Sequence, residues 1–184
     1  MLKKYLITSP DFYPNTKDGF RSVLGNQLAK HKPKYALYRD KTNENYAYLA
    51  EEFVCICKDV GDTKSFLHQN IDLAKALDAS GVHLTSQQFD KIEYAKSLKL
   101  EVIVSTHTHK EVLKAQALGA DAVTYSPVFF SPNKGEAKGI EDLKELMKTR
   151  SIKIFALGGI INETQIGAIQ EAKPYGFASI RYFY

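Results

Sequence analysis

The chain has 184 residues, 44% of them hydrophobic and 25% charged, the composition of one globular domain long enough to bury a substantial core. Lysine and arginine number 25 against 21 acidic residues, but the lysines are scattered from Lys3 to Lys173 without a basic run, which speaks against nucleic acid as the main partner and suits a small anionic ligand. No stretch approaches the roughly 18 apolar residues of a membrane span, and the apolar YLI after Lys4 is too short for a signal peptide, so a cytoplasmic protein is expected.

In chain order, short β-rich runs alternate with longer amphipathic segments. KYLITS (4–9), KYALYRD (34–40), KSFLHQ (64–69), GVHL (81–84), LEVIVST (100–106), DAVTYS (121–126), IKIFAL (152–157) and GFASI (176–180) read as strands. Several are continuously apolar, as strands covered on both faces are. The clearest helical patterns fall at 108–118, 139–149 and 162–172. Thr108 with Glu111, and Asn162 with Gln165, have the spacing of capping boxes, and Gly119 stands where a left-handed cap residue belongs. Cys55 and Cys57, two apart in a helical stretch, point to different faces; a shared metal is not expected and core packing is.

Eight strands separated by helices require crossovers and hence a parallel sheet. Eight such units are the count of an α/β (β/α)₈ TIM barrel, here a single domain over residues 1–184. A doubly wound open sheet would favour a glycine-rich turn after the first strand, where TSPDFYPNTKDG offers none. Only RYFY follows the eighth strand, so the barrel is short, with its final helix reduced or missing. That strand is then either partly uncovered or covered by a second subunit. Tyr182, Phe183 and Tyr184, with Tyr46 and Tyr48 elsewhere, are the aromatic clusters available to such a homodimer.

In a barrel, functional groups gather where strands end. The candidates by position are Arg39 and Lys41, His68 and Gln69, Gln87 and Gln88, Ser105 and His107, the long polar loop after Tyr125, Gly158 with Gly159, and Arg181. The paired glycines directly precede the helix capped by Asn162, an arrangement that suits phosphate, although a simple tight turn would use the same residues. Arg39 and Lys41, two apart, can share one face and grip phosphate oxygens; a solvated strand end is the alternative. Lys134 fits the same anion-binding role, with Ser131 and Asn133 as hydrogen-bond donors beside it. His107 and His109 lack a third ligand nearby, so capping and loop packing explain them better than zinc.

GVHLTSQQ, VSTHTHKEVLKAQALGADAVTYSPVFFSPNKGEAKG and FALGGI closely resemble the signature segments of the thiamin phosphate synthase/TenI family, in the right order on the right strands. The resemblance implies a (β/α)₈ barrel acting on small phosphorylated heterocycles in thiamin biosynthesis. Its synthase members couple hydroxymethylpyrimidine diphosphate to a thiazole phosphate and release pyrophosphate with Mg²⁺ assistance. It further implies that Arg39, Lys41 and Lys134 hold the diphosphate, that Ser105 is the family's hydroxyl on the fifth strand, and that Gly159 supplies an amide to the thiazole phosphate. Ser131 and Asn133 stand where the family has threonines.

The departures from the family pattern lie at specific positions. The family's two magnesium-binding aspartates fall on Gln69 and Gln88, which should weaken Mg²⁺ severely because this hard cation is held by carboxylates. Leu37 replaces the glutamine that reads the pyrimidine, and Arg181 replaces a serine at the thiazole phosphate. Pro127 stands where the tautomerase branch has its histidine. Three readings therefore stay open: a synthase-like transferase, a TenI-like enzyme using His68 for proton transfer, and a non-catalytic barrel that binds phosphate ligands.

Overall fold

The computed structural model describes residues 1–132 and 134–184. Eight strands alternate with seven α-helices among these residues: β1 Lys3–Ile7, α1 Lys17–His31, β2 Tyr35–Tyr38, α2 Tyr46–Val60, β3 Lys64–His68, α3 Ile71–Ala76, β4 Gly81–Leu84, α4 Ile92–Ser97, β5 Glu101–Thr106, α5 His109–Ala117, β6 Ala122–Tyr125, α6 Gly139–Lys148, β7 Lys153–Leu157, α7 Glu163–Ala172 and β8 Gly176–Ser179. All neighbours pair in parallel, and β8 returns to β1 with Lys4 opposite Phe177 and Leu6 opposite Ser179, closing the barrel. The doubly wound alternative is thereby removed. Helices α3 and α4 are only six residues each, which is how a full set of eight strands fits in so short a chain. Among the described residues no helix is long and apolar enough to cross a membrane.

The expected start signals operate. Thr108 Oγ1 accepts from the Glu111 amide, Asn162 Oδ1 accepts from the Gln165 amide, and Asn70 caps α3 in the same way, each satisfying a donor the helix cannot. Glu111 reaches back to the His107 amide and Gln165 to the Ile161 amide, one residue outside the usual capping-box target. Cys57 is buried against the barrel, whereas Cys55 on the other face is exposed, so only one of the two packs in the core.

The barrel interior is unusually aromatic. Tyr5, Tyr35, Phe66 and Phe155 meet at its lower end, with ring centroids 5.0 Å apart for Tyr35–Phe155 and 5.2 Å for Tyr5–Phe155. Such bulk needs small partners, and Ala122, Ala178, Gly81 and Gly176 provide them. A Cβ on Gly81 would lie 2.5 Å from the Phe66 ring and 2.1 Å from the Glu101 carbonyl oxygen, so the aromatic plug depends on that position staying bare. A second apolar layer, including Leu24, Leu28, Phe53, Val112, Leu143 and Ile169, fills the space between barrel and helices.

After β8 the chain forms a 3₁₀ turn, Arg181–Phe183. Its aromatics cover the eighth strand from within the chain. Phe183 is fully buried, stacked on Phe177 of β8 and edge-on to His31 of α1, while Tyr184 stacks 4.7 Å from Phe12. Tyr46 is also engaged, donating to the Tyr38 carbonyl. Of the five aromatics considered for a dimer contact, only Tyr48 remains exposed, with Lys17 over its ring.

Candidate active site

Side chains alternate between the two faces of a strand. Following the inward set upward from the aromatic plug leads through Leu37, Ile103 and Ala178 to Arg39, His68, His83, Ser105 and Ser126. There a cavity of about 460 Å³ opens at the C-terminal ends of the strands, the face on which barrel active sites are built. Arg39, Lys41, His68, Ser105, His107, Ser131, Lys134, Gly158, Gly159 and Arg181 all line this one cavity. Asn133 lies outside the described residues. Gln69 and Gln88 are not on its wall.

Arg39 is held at the rim through its backbone. Its amide donates to Thr8 Oγ1 at 2.8 Å, where β1 has left the sheet ahead of Pro10. Burial, and then the charges of Arg39 and Lys41, push the Lys134 ammonium below its ordinary pKa. Partial burial likewise lowers Arg39, with Asp40 opposing. These cations therefore share one field, and an oxyanion placed among them would relieve both their mutual repulsion and their desolvation.

Lys134 reaches the cavity because the loop that bears it is pinned at its base. After Tyr125 the chain continues alongside β7, with the amides of Val128 and Phe129 donating to the carbonyls of Leu157 and Gly158. It returns where Lys138 and Gly139 donate to Pro127 and Val128. Residues 129–132 and 134–137 thus belong to an arm on a closed base. The arm accounts for the paired glycines as well: a Cβ on Gly159, whose φ is +68°, would meet the Phe130 carbonyl oxygen at 2.4 Å. Gly158 and Gly159 let the arm's backbone approach, and in doing so they line the cavity just ahead of the Asn162 cap.

His68 is pushed down to about 4 by burial, followed by the charges of Arg39 and Lys41, so near neutral pH its imidazole is uncharged. It sits 3.3 Å from the Gln69 amide nitrogen. His107 approaches the Ser126 carbonyl oxygen through Nδ1 at 3.1 Å, while His109 pairs with Asp142 outside the cavity.

The residues at the family's metal positions do not fit Mg²⁺. Gln88 Oε1 accepts from both the amide and the hydroxyl of Thr85, at 3.1 and 3.3 Å, folding that side chain into its own turn. Gln69 occupies a left-handed conformation at φ +66° and offers only an amide. Among the described residues no group of three or more His, Cys, Asp or Glu side chains is arranged to hold a metal. Among the described residues Asp11 is the one carboxylate lining the cavity, and Ser9 Oγ already donates to it.

Several cavity residues escaped sequence reasoning. His83 is fully buried beneath the cavity, its Nε2 2.9 Å from Ser105 Oγ and its Nδ1 2.8 Å from the Tyr5 hydroxyl. Its signal was the period of two, which carries Gly81 inward and therefore His83 and Thr85 too; the short run GVHL had hidden it among apolar neighbours. Asp11, Phe12 and Ser86, which also line the cavity, come from loops with no recognisable spacing.

A closed parallel barrel whose C-terminal rim gathers arginines, lysines and glycine backbone around one cavity defines the class, a (β/α)₈ barrel with a cationic cavity at that rim. Its family is shown by comparison: the thiamine monophosphate synthase model matches residues 4–183, and the chain belongs to that family. The thiamine-phosphate synthase of Synechocystis sp. is 31% identical over 183 residues, covering 96% of this chain and 51% of the relative. That of Fusobacterium nucleatum is 30% identical over 165 residues, covering 86% and 78%. The chain spans about half to two thirds of the length of several of the curated relatives it matches. Among solved structures, thiamine phosphate pyrophosphorylase from Pyrococcus furiosus shares the fold, with a TM-score of 0.83 at 24% identity, over 97% of this chain and 85% of that one.

Proposed function

We propose that this protein is a thiamin phosphate synthase-type transferase, coupling hydroxymethylpyrimidine diphosphate to a thiazole phosphate. In that reaction the bond between the pyrimidine's methylene carbon and the diphosphate oxygen breaks, pyrophosphate leaves with the electron pair, and the thiazole nitrogen forms the new C–N bond. Arg39, Lys41 and Lys134 stabilise charge developing on the departing pyrophosphate electrostatically. Gly159 and the start of α7, with Arg181, receive the second phosphate. The setting is cytoplasmic. The observation that carries this reading is the convergence of Arg39, Lys41 and Lys134 on a single cavity.

A second reading is favoured by the neutral amides of Gln69 and Gln88: a barrel that keeps its phosphate grip without metal-assisted turnover. The TenI-like alternative is weakened by His68, since an imidazole held near 4 is a poor base at neutral pH. One experiment separates all three. Purified protein is mixed with the pyrimidine diphosphate and thiazole phosphate, with and without Mg²⁺. Pyrophosphate together with thiamin phosphate supports the transferase; thiazole isomerisation without pyrophosphate supports the TenI-like enzyme. Calorimetric binding with neither product supports the binding barrel.

A further inference from the structure

The geometry points to His83 and Tyr5 as positioning residues that fix the direction of the Ser105 hydroxyl, so that its proton is offered to whatever occupies the cavity. Two buried groups and the half-buried Ser105 form a line across the top of the barrel core. Tyr5, in β1, is completely buried, and its hydroxyl lies 2.8 Å from His83 Nδ1. His83, in β4, is 2% exposed, and its Nε2 lies 2.9 Å from Ser105 Oγ in β5. The rings of Tyr5 and His83 are stacked at 26° with centroids 5.8 Å apart, so neither can swing without disturbing the aromatic plug below.

The donor sense follows from what each group can do. A buried phenol that leaves its proton unpartnered loses a hydrogen bond outright, and His83 Nδ1 is the one side-chain partner found for the Tyr5 hydroxyl among the described residues. Tyr5 therefore donates, and burial keeps it protonated. With Nδ1 acting as acceptor, a neutral imidazole must carry its proton on Nε2, and that proton goes to Ser105 Oγ. The imidazole is neutral here, since burial, then the charges of His68 and Arg39, hold it far below its ordinary pKa. Ser105 is thus occupied as an acceptor, and its own proton is left pointing at the cavity that it lines. A serine without this support would divide its time among rotamers.

This inference rests on the reading that the substrate lies over Ser105, but its first test does not. In ¹⁵N-histidine-labelled protein, the His83 ring should be the Nε2–H tautomer near neutral pH. Tyr5→Phe, which removes the donor but keeps the ring, should shift it toward a mixture with the Nδ1–H form. Finding the Nδ1–H tautomer in the unmodified protein would overturn the relay. The second test is calorimetric titration with hydroxymethylpyrimidine diphosphate. His83→Leu and Ser105→Ala should each lose roughly tenfold in affinity, whereas His83→Gln, which keeps an N–H near the Nε2 position, should stay within about threefold of the parent. Equal loss in the Gln and Leu variants, with both shown folded by near-ultraviolet circular dichroism, would mean that His83 only packs. If the unmodified protein did not bind the diphosphate at all, the functional reading would fail and the tautomer measurement alone would decide the relay.

Discussion

Thr8 and Arg39 hold each other at the mouth of the barrel: the Arg39 amide donates to Thr8 Oγ1 at 2.8 Å, and Thr8 Oγ1 is 3.4 Å from the Arg39 carbonyl. Thr8 is 1% exposed, so its hydroxyl serves this contact rather than solvent. Thr8→Val should strand the Arg39 amide and cost about 1–3 kcal/mol, lowering the melting temperature by several degrees. Pyrophosphate affinity should fall with it, because Arg39 loses its anchor. Thr8→Ser should restore both. A valine variant that binds pyrophosphate normally would show that Arg39 finds its place without this bond.

Lys134→Ala separates binding from stability. The Lys134 side chain is exposed at the end of an arm whose closed base lies elsewhere, and its own backbone contact to Ser131 survives truncation. A charged hydrogen bond to phosphate is worth about 1.5–3 kcal/mol, so pyrophosphate affinity should drop on the order of 10- to 100-fold with the melting temperature almost unmoved. Unchanged affinity with lowered stability would make the lysine structural.

Metal dependence gives a third expectation. Because Gln88 is turned onto Thr85 and Gln69 offers a neutral amide, pyrophosphate binding should change little when Mg²⁺ is replaced by a chelator. Gln69→Asp combined with Gln88→Asp should raise Mg²⁺ affinity, and aspartate tolerates the left-handed backbone at position 69 better than glutamine does. A magnesium titration of the double variant with no gain would place the family's metal positions elsewhere in this chain.

Acid should weaken the fold through its histidines. His68 and His83 are held at about 4 and about 3, against an ordinary value of 6.5. Below 6.5 the unfolded chain binds protons that the folded one refuses, so the stability these neutral rings confer is present above that pH and is lost progressively as pH falls toward their folded values. The melting temperature should therefore drop between about pH 7 and pH 4.5. His83→Gln, which cannot titrate, should show a shallower fall. Parallel profiles for variant and parent would mean that His83 is not held neutral by its burial.

Much of this architecture was legible in the residues. Eight β-rich runs, the caps at Thr108 and Asn162, and the left-handed Gly119 are local signals, and local signals survive folding. Arg39, Lys134 and Gly159 were legible because strand ends converge in a barrel whatever lies between them. The Tyr5–His83–Ser105 line was not, since it joins residues 78 and 22 positions apart and depends on register, which a single sequence states only indirectly. The tail was half legible. The aromatics of RYFY stand out in the sequence, but that Phe183 buries itself on Phe177 depends on where α1 ends. The glycine pair was read for its amides, whereas the clash a Cβ would make with the arm at Phe130 emerged only from the fold.

Side-chain cations on separate loops, with the glycine backbone that lines the same cavity, are proposed to form one receptacle for phosphate oxygens. The most direct test is a crystal structure of the protein soaked with pyrophosphate and no divalent metal. The anion should lie within hydrogen-bonding distance of Arg39, Lys41 and Lys134 together. Pyrophosphate bound away from this cavity, or density touching none of the three, would contradict the account.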